Sequence, residues 1–210
     1  MHRIPLLLGT LLLLGCNQRG ASDQPPTEKP ASKPQPAPSA VTANASTSTG
    51  LPTAGGIRWN APQRFIAQTP KSAMRAAEYR VEGQGEPDAI LAVFFFGPGQ
   101  GGDVQSNIDR WVGQFKAPNH PKGKSRADID KRTIAGMTVT TVDVTGTYTD
   151  TMMGPHAPTS PDPLNDQRML GAIVEGPQGP VFFKLTGPRN TVTLVETAFS
   201  ALINSIHPAS

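Results

Sequence analysis

The chain has 210 residues, which admits one domain or two at roughly 100–200 residues each, and its 19 Lys and Arg against 16 Asp and Glu leave a formal net charge of +3. One cysteine excludes an internal disulfide, and no CxxC, HExxH or paired-His spacing offers a metal site. Three excess cations over this length are too diffuse for a nucleic-acid protein, which gathers its charge on one face.

Residues 1–16 read MHRIPLLLGTLLLLGC: a short start with Arg3, an apolar run from Leu6 to Leu14, then Gly15 and Cys16. As a helix the run rises only about 14 Å, against a hydrocarbon core of about 30 Å, so it cannot span and reads as a cleaved signal over 1–15. Leu13-Leu14-Gly15-Cys16 resembles the bacterial lipobox, in which a small residue precedes a cysteine that receives a diacylglyceryl thioether before cleavage. The resemblance implies a mature chain that starts at lipidated Cys16 and is held on a membrane by two or three acyl chains. Each buried methylene contributes about 0.8 kcal/mol, so two chains hold where one exchanges. Asn17 follows instead of Asp, and by resemblance to sorting in some Gram-negative bacteria this favours the outer membrane.

From Asn17 to Gly56 the composition shifts to seven Pro, seven Ala, five Ser and five Thr, with Val41 and Leu51 as the only large aliphatics. Ordering forty backbones costs about 40–80 kcal/mol, and burying two aliphatic side chains returns about 3–6 kcal/mol. Residues 16–56 therefore read as a lipidated cysteine and a disordered tether, with a reach of about 35 Å or more.

Every aromatic residue lies beyond the tether, so the core belongs to 57–210. Tyr79–Val81 and Ala89–Phe96 are predicted strands around a loop over 83–88, the second an unbroken apolar run suited to a central strand. Asp103 is placed to cap a helix whose Val104, Ile108, Trp111, Val112 and Phe115 recur at helical spacing before Pro118. Met137–Tyr148, rich in Thr and Val, reads as a strand. Arg168–Glu175 and Val181–Thr186 flank Gly176–Pro180 as a hairpin with a longer loop. A final helix over 191–206 is expected to bury Leu194, Val195, Ala198, Phe199, Leu202, Ile203 and Ile206.

This order predicts an α+β domain in which two amphipathic helices cover an antiparallel sheet. The Phe183-Lys184-Leu185 strand, followed by a helix with Phe199 and Ser205-Ile206 near its end, resembles the tail of the PsbP/Mog1-like α/β/α sandwich. Gly97–Phe115 and Arg168–Pro188 also resemble an uncharacterised family of bacterial envelope proteins. Neither resemblance implies an activity, because fold does not fix function.

Gly97-Pro98-Gly99-Gln100-Gly101-Gly102-Asp103 contains GxGxxG between a strand and a helix. Pro98 lacks an amide hydrogen, Asp103 brings negative charge to the helix start, and no βαβ unit follows, so a dinucleotide is not expected. What remains is a tight turn or a small-anion loop at Gly99, Gly101 and Gly102. The Pro-rich stretch 150–167 carries Met152, Met153 and His156; two thioethers and one imidazole form a poor copper set, and a lid or partner-binding loop is the better reading. No GxSxG elbow is present, and His120 and His156 both fall in Pro-rich loops. Lys116, Lys122, Lys124, Arg126, Lys131 and Arg132, interrupted by Asp128 and Asp130, read as a solvated face, with contact to anionic headgroups or cell-wall polymer as the alternative. Trp59, Trp111 and Phe94–Phe96 are expected in the core.

The sequence thus predicts a lipid-anchored envelope protein with a non-catalytic binding or scaffolding domain. Its partners would be the membrane and an envelope protein or cell-wall component, with no nucleic acid, cofactor or metal. The alternative is an envelope hydrolase with its site in the strand-end loops.

Overall fold

The computed structural model describes residues 51–117, 127–149 and 163–209. Cys16, Met152, Met153, His156, His120, Lys122, Lys124 and Arg126 lie outside the described residues.

In chain order the elements are β1 (Thr53–Ala54), β2 (Ile57–Arg58), β3 (Ile66–Gln68), β4 (Arg75–Val81), β5 (Ala89–Phe95), α1 (Val104–Gly113), β6 (Phe115–Lys116), β7 (Ala127–Ile134), β8 (Met137–Tyr148), β9 (Leu164–Gly176), β10 (Gly179–Pro188), α2 (Arg189–Thr193), α3 (Glu196–Asn204) and β11 (His207–Pro208). The main sheet runs β3-β4-β5-β10-β9-β8-β6, with β7 also paired to β8, and every pairing is antiparallel. A small second sheet joins β1, β2 and β11.

Side-chain alternation divides the core between the two faces of the main sheet. On one face Leu91 and Val93 of β5, Leu170 and Ala172 of β9 and Phe183 and Leu185 of β10 pack with Val192 of α2 and Phe199, Leu202 and Ile203 of α3. On the other, Val142 and Val144 of β8, Met169 and Ile173 of β9 and Phe182 of β10 pack with Ile108 and Trp111 of α1. The predicted antiparallel sheet is present with helices on both faces, although strands dominate the fold. β5, β9 and β10 each lie between two partner strands and contribute to the core on both faces, which is why Ala89–Phe95, Met169–Val174 and most of Val181–Leu185 are apolar.

Four expectations need correction. The tether was expected to reach Gly56, yet Thr53–Ala54 pairs with Ile57–Arg58; Gln178 N donates to Gly55 O at 3.1 Å and Ala209 N to Gly56 O at 2.9 Å, so the fold begins before Ile57. The first helix stops at Gly113, and Phe115 is buried from β6, paired with Tyr148. The single helix over 191–206 is broken into α2 and α3, with Val195 at φ −118° and ψ 11°. Three β-branched residues in a row, Thr191 to Thr193, disfavour a continued helix, and the break keeps Val192, Val195, Phe199, Leu202 and Ile203 buried while turning Leu194 out to 47% exposure. The β9–β10 hairpin closes through Pro177-Gln178 alone, because Gly176 pairs directly with Gly179, whose φ is +123°.

Candidate functional site

On the α1 face of the sheet, α1 lies over β8, β9 and β10, where Ile108 and Trp111 meet Val142, Met169 and Phe182. Gly171 of β9 makes this approach possible: a Cβ there would stand 2.6 Å from Cζ3 of Trp111. Beside the helix, Ile90, Ala92 and Phe94 of β5 form the floor of a cleft of about 300 Å³, with Trp111 and Phe182 at its wall. Phe96 extends the floor: its ring lies 6.0 Å from Phe94 at 11° between planes and 5.7 Å from Phe182. Met74 and Phe96, two of the exposed large apolar side chains, border this space at 58% and 38% exposure.

Three cations line the same cleft, Arg75, Arg110 and Lys184. Arg75 Nη1 donates to Glu78 Oε2 at 2.5 Å, and its guanidinium lies 5.8 Å from the centre of the Phe94 ring. Glu78 also accepts from Lys71 N at 3.0 Å. Burial alone would raise the Glu78 carboxyl, but the Lys71 amide and the Arg75 guanidinium together outweigh it and hold the group below its ordinary range. Lys184 Nζ donates to Gln114 Oε1 at 2.6 Å and stands 5.5 Å from the Tyr148 ring centre. Nε2 of Gln114, on a residue 1% exposed, is buried with no hydrogen-bond partner among the described residues. Such an orphan donor is uncommon in a folded protein.

Arg110 is braced from the glycine-rich segment. Its Nη2 donates to Oδ1 of buried Asn107, whose Nδ2 donates to Gly101 O and Asp103 O, both at 2.8 Å. Gly101 has φ +95°, and a Cβ there would meet Phe182 Cε2 at 2.9 Å and Phe96 Cδ2 at 3.0 Å. Gly101 therefore sits against the aromatic wall, Gly102 lies next to Asn107, and Gly99 faces open space. At the start of α1 the local anion is the chain's own: Asp103 accepts from Ser106 Oγ at 2.6 Å and from Ser106 N at 2.9 Å. These two bonds hold its carboxyl below the usual range.

A second depression, about 240 Å³, lies between β7, β8 and α3 and carries Asp128, Asp130, Asp143 and Glu196 with Arg132. Beside it Arg168 forks onto Asp143 at 3.0 and 2.6 Å and reaches Glu196 at 2.8 Å and Thr193 Oγ1 at 2.9 Å. The Asp143 bonds first, then those to Glu196, raise the guanidinium above its ordinary value despite burial. This fork ties α2 and α3 to β8 and β9. Among the described residues no group of three or more His, Cys, Asp or Glu is placed to hold a metal ion.

Trp59 is buried as expected, its Nε1 donating to Tyr79 Oη at 3.0 Å. Sequence reasoning missed Arg75, Arg110 and Lys184 as neighbours. One signal was available: Lys184 interrupts an otherwise apolar β10, and a cation in the middle of a covered strand needs an explanation.

No family model and no curated protein matches the chain. Among solved structures, cyanobacterial PsbP from Synechocystis is similar over 74% of this chain and 88% of its own, at 13% identity and a TM-score of 0.45. A protein of unknown function from Pseudomonas aeruginosa is similar over 63% of this chain and 82% of its own, at 11% identity and a TM-score of 0.42. Neither likeness bears on the cleft. Among the described residues no helix is long and apolar enough to cross a membrane.

Proposed function

We propose that the chain is a lipid-anchored envelope protein whose α+β domain is a non-catalytic binding module, with the cleft beside α1 as its binding surface. The anchor rests on the placement of the only cysteine, Cys16, directly after Gly15 at the end of an apolar run too short to span a bilayer. The Pro-, Ala-, Ser- and Thr-rich composition from Asn17 up to the first strand at Thr53 supports a spacer between lipid and domain. Helices on both faces of the sheet agree with the α/β/α layering that a PsbP/Mog1-like resemblance implies, and membership of that group is part of the proposal.

The observation that carries the binding reading is the cleft itself. It combines an apolar aromatic floor with a few polar groups at its rim, the usual make-up of a small-molecule site. The rim groups Arg75, Arg110 and Lys184 are cations suited to holding a ligand. Labelling with an acyl-lipid precursor, followed by membrane fractionation, tests the anchor. Cys16→Ala should abolish the label and release the protein from membranes, and unchanged labelling would overturn the lipoprotein reading. Reproducible turnover of an ester, glycan or peptide by the purified protein would replace the binding module with an envelope hydrolase.

A further inference from the structure

We propose that β7 is a docking edge for a second copy of this chain, and that the two β7 strands pair antiparallel about a two-fold axis at Lys131. This interaction surface is separate from the cleft and does not depend on what the cleft binds.

The main sheet ends in β3 on one side and in β6 and β7 on the other. β3 has three residues and β6 two, so neither offers much backbone to a partner. β7 has eight, Ala127–Ile134, and among the described residues all of them pair on one side alone, with β8. Alternate residues of an antiparallel strand turn their N–H and C=O groups away from that partner, so the outer side of β7 carries a row of them. Residues 128–133 are all exposed, Ile129 at 52%, so both faces of the strand are open and a second strand can lie flat beside it.

Charge decides the occupant. Edge charges of a single sign keep sheets apart, but β7 carries both signs in order, Asp128 and Asp130 and then Lys131 and Arg132. Antiparallel pairing with a second copy reverses that order and lays the acidic half along the basic half. In a symmetric pair one residue must face itself on the axis. With Lys131 there, Asp130 faces Arg132 of the second copy, and Arg132 faces its Asp130. Both residues border the depression on the α3 face, and neither is in an ion pair among the described residues. On the other face Ile129 falls opposite Thr133, which covers part of an exposed apolar side chain. The two Lys131 side chains are long enough to diverge into water. Other registers lack this match. An axis at Asp130 sets two short carboxylates against each other, one at Ile129 sets Asp128 against Asp130, and one at Arg132 leaves Asp130 facing Ile134. The contact is isologous and closes as a dimer. One strand pair falls short of the about 1,000 Å² of a stable interface, so the dimer is weak, with a dissociation constant of about 10–100 μM.

Sedimentation velocity over a concentration series, on the full chain carrying Cys16→Ala, tests the proposal. The chain should pass from monomer to dimer, and rising salt should weaken the dimer. Asp130→Arg and Arg132→Asp should each weaken self-association by at least about tenfold, because each sets like charges in both opposed positions. Mixing the two variants in equal amounts should restore association, since every opposed pair is then Arg against Asp. The double variant Asp130→Arg/Arg132→Asp should dimerise as wild type does. Arg64→Asp, at an exposed cation near β3, should change nothing. All three positions are exposed, and matching circular dichroism confirms that each variant is folded. A wild type that stays monomeric up to about 1 mM, a dimer indifferent to both charge reversals, or mixed variants that fail to associate would overturn the proposal.

Discussion

Gly171→Ala places a methyl group where the Trp111 indole sits. The added Cβ would lie 2.6 Å from Cζ3 and 2.9 Å from Cε3, whereas carbon atoms settle at about 3.5–4.0 Å, so the ring must withdraw by about 1 Å. Trp111 is 4% exposed and packs edge-on to Phe182 at 6.3 Å, so the shift is passed to α1 as a whole. Overpacking of this kind costs about 1–3 kcal/mol, and removing a strand glycine returns about 0.5–1 kcal/mol. The net expectation is a destabilisation of about 1–2 kcal/mol. Urea or guanidinium unfolding followed by circular dichroism measures it, and Trp111→Leu supplies the partner for a double-mutant cycle. Trp111→Leu alone is destabilising, but in its presence Gly171→Ala should cost nothing or stabilise, giving a coupling of at least about 1 kcal/mol. Additive effects, or a neutral Gly171→Ala in the wild-type background, would refute the close approach of α1 to β9.

Glu78→Gln tests the charge arrangement under the cleft. A carboxyl held below its unfolded value of 4.5 contributes stability that is present above that pH and lost as pH falls through the folded value. Wild type should therefore exceed the variant in denaturation midpoint at pH 7, with the gap narrowing as pH falls below 4.5; a gap unchanged on acidification would contradict the assignment. Arg168→Leu should lower stability by about 1–3 kcal/mol in the same assay. That is below the about 3–5 kcal/mol for breaking a fully buried pair, because Asp143 and Glu196 are 33% and 51% exposed and water replaces part of what the guanidinium supplied. A loss below about 0.5 kcal/mol would mean that the fork does not hold α2 and α3 to the sheet.

What could be read from sequence was what one period reveals. The unbroken apolar run at Ala89–Phe95 and the Thr/Val alternation of Met137–Tyr148 announce strands because their environment is uniform along their length. β7, ADIDKRTI, was not legible: among the described residues it pairs with β8 alone, it is mostly exposed and it carries little hydrophobic signal. Its turn to β8 uses Ala135 at φ +48° with Gly136 at φ +79°, without the Asn-Gly or Asp-Gly pair that marks such hairpins. Leu194 was misplaced because a 3.6-residue count runs straight through the break that puts Val195 inside.

The cleft escaped for a different reason. Arg75, Arg110 and Lys184 come from β4, α1 and β10, which are brought together only by the strand order β4-β5-β10 and by the position of α1. Long-range pairing of that kind leaves no local pattern. The visible role of the glycine segment is to seat Asn107 and admit Phe182.

The central claim is that the α1 side of the sheet, and not the acidic depression against α3, is the binding surface. Amide chemical-shift mapping of the isotope-labelled Cys16→Ala chain, titrated with anilinonaphthalene sulfonate, addresses it directly. The account predicts the largest shifts at Phe94, Phe96, Trp111 and Lys184. Shifts centred on Asp130, Asp143 and Glu196, or spread evenly over the domain, would contradict it.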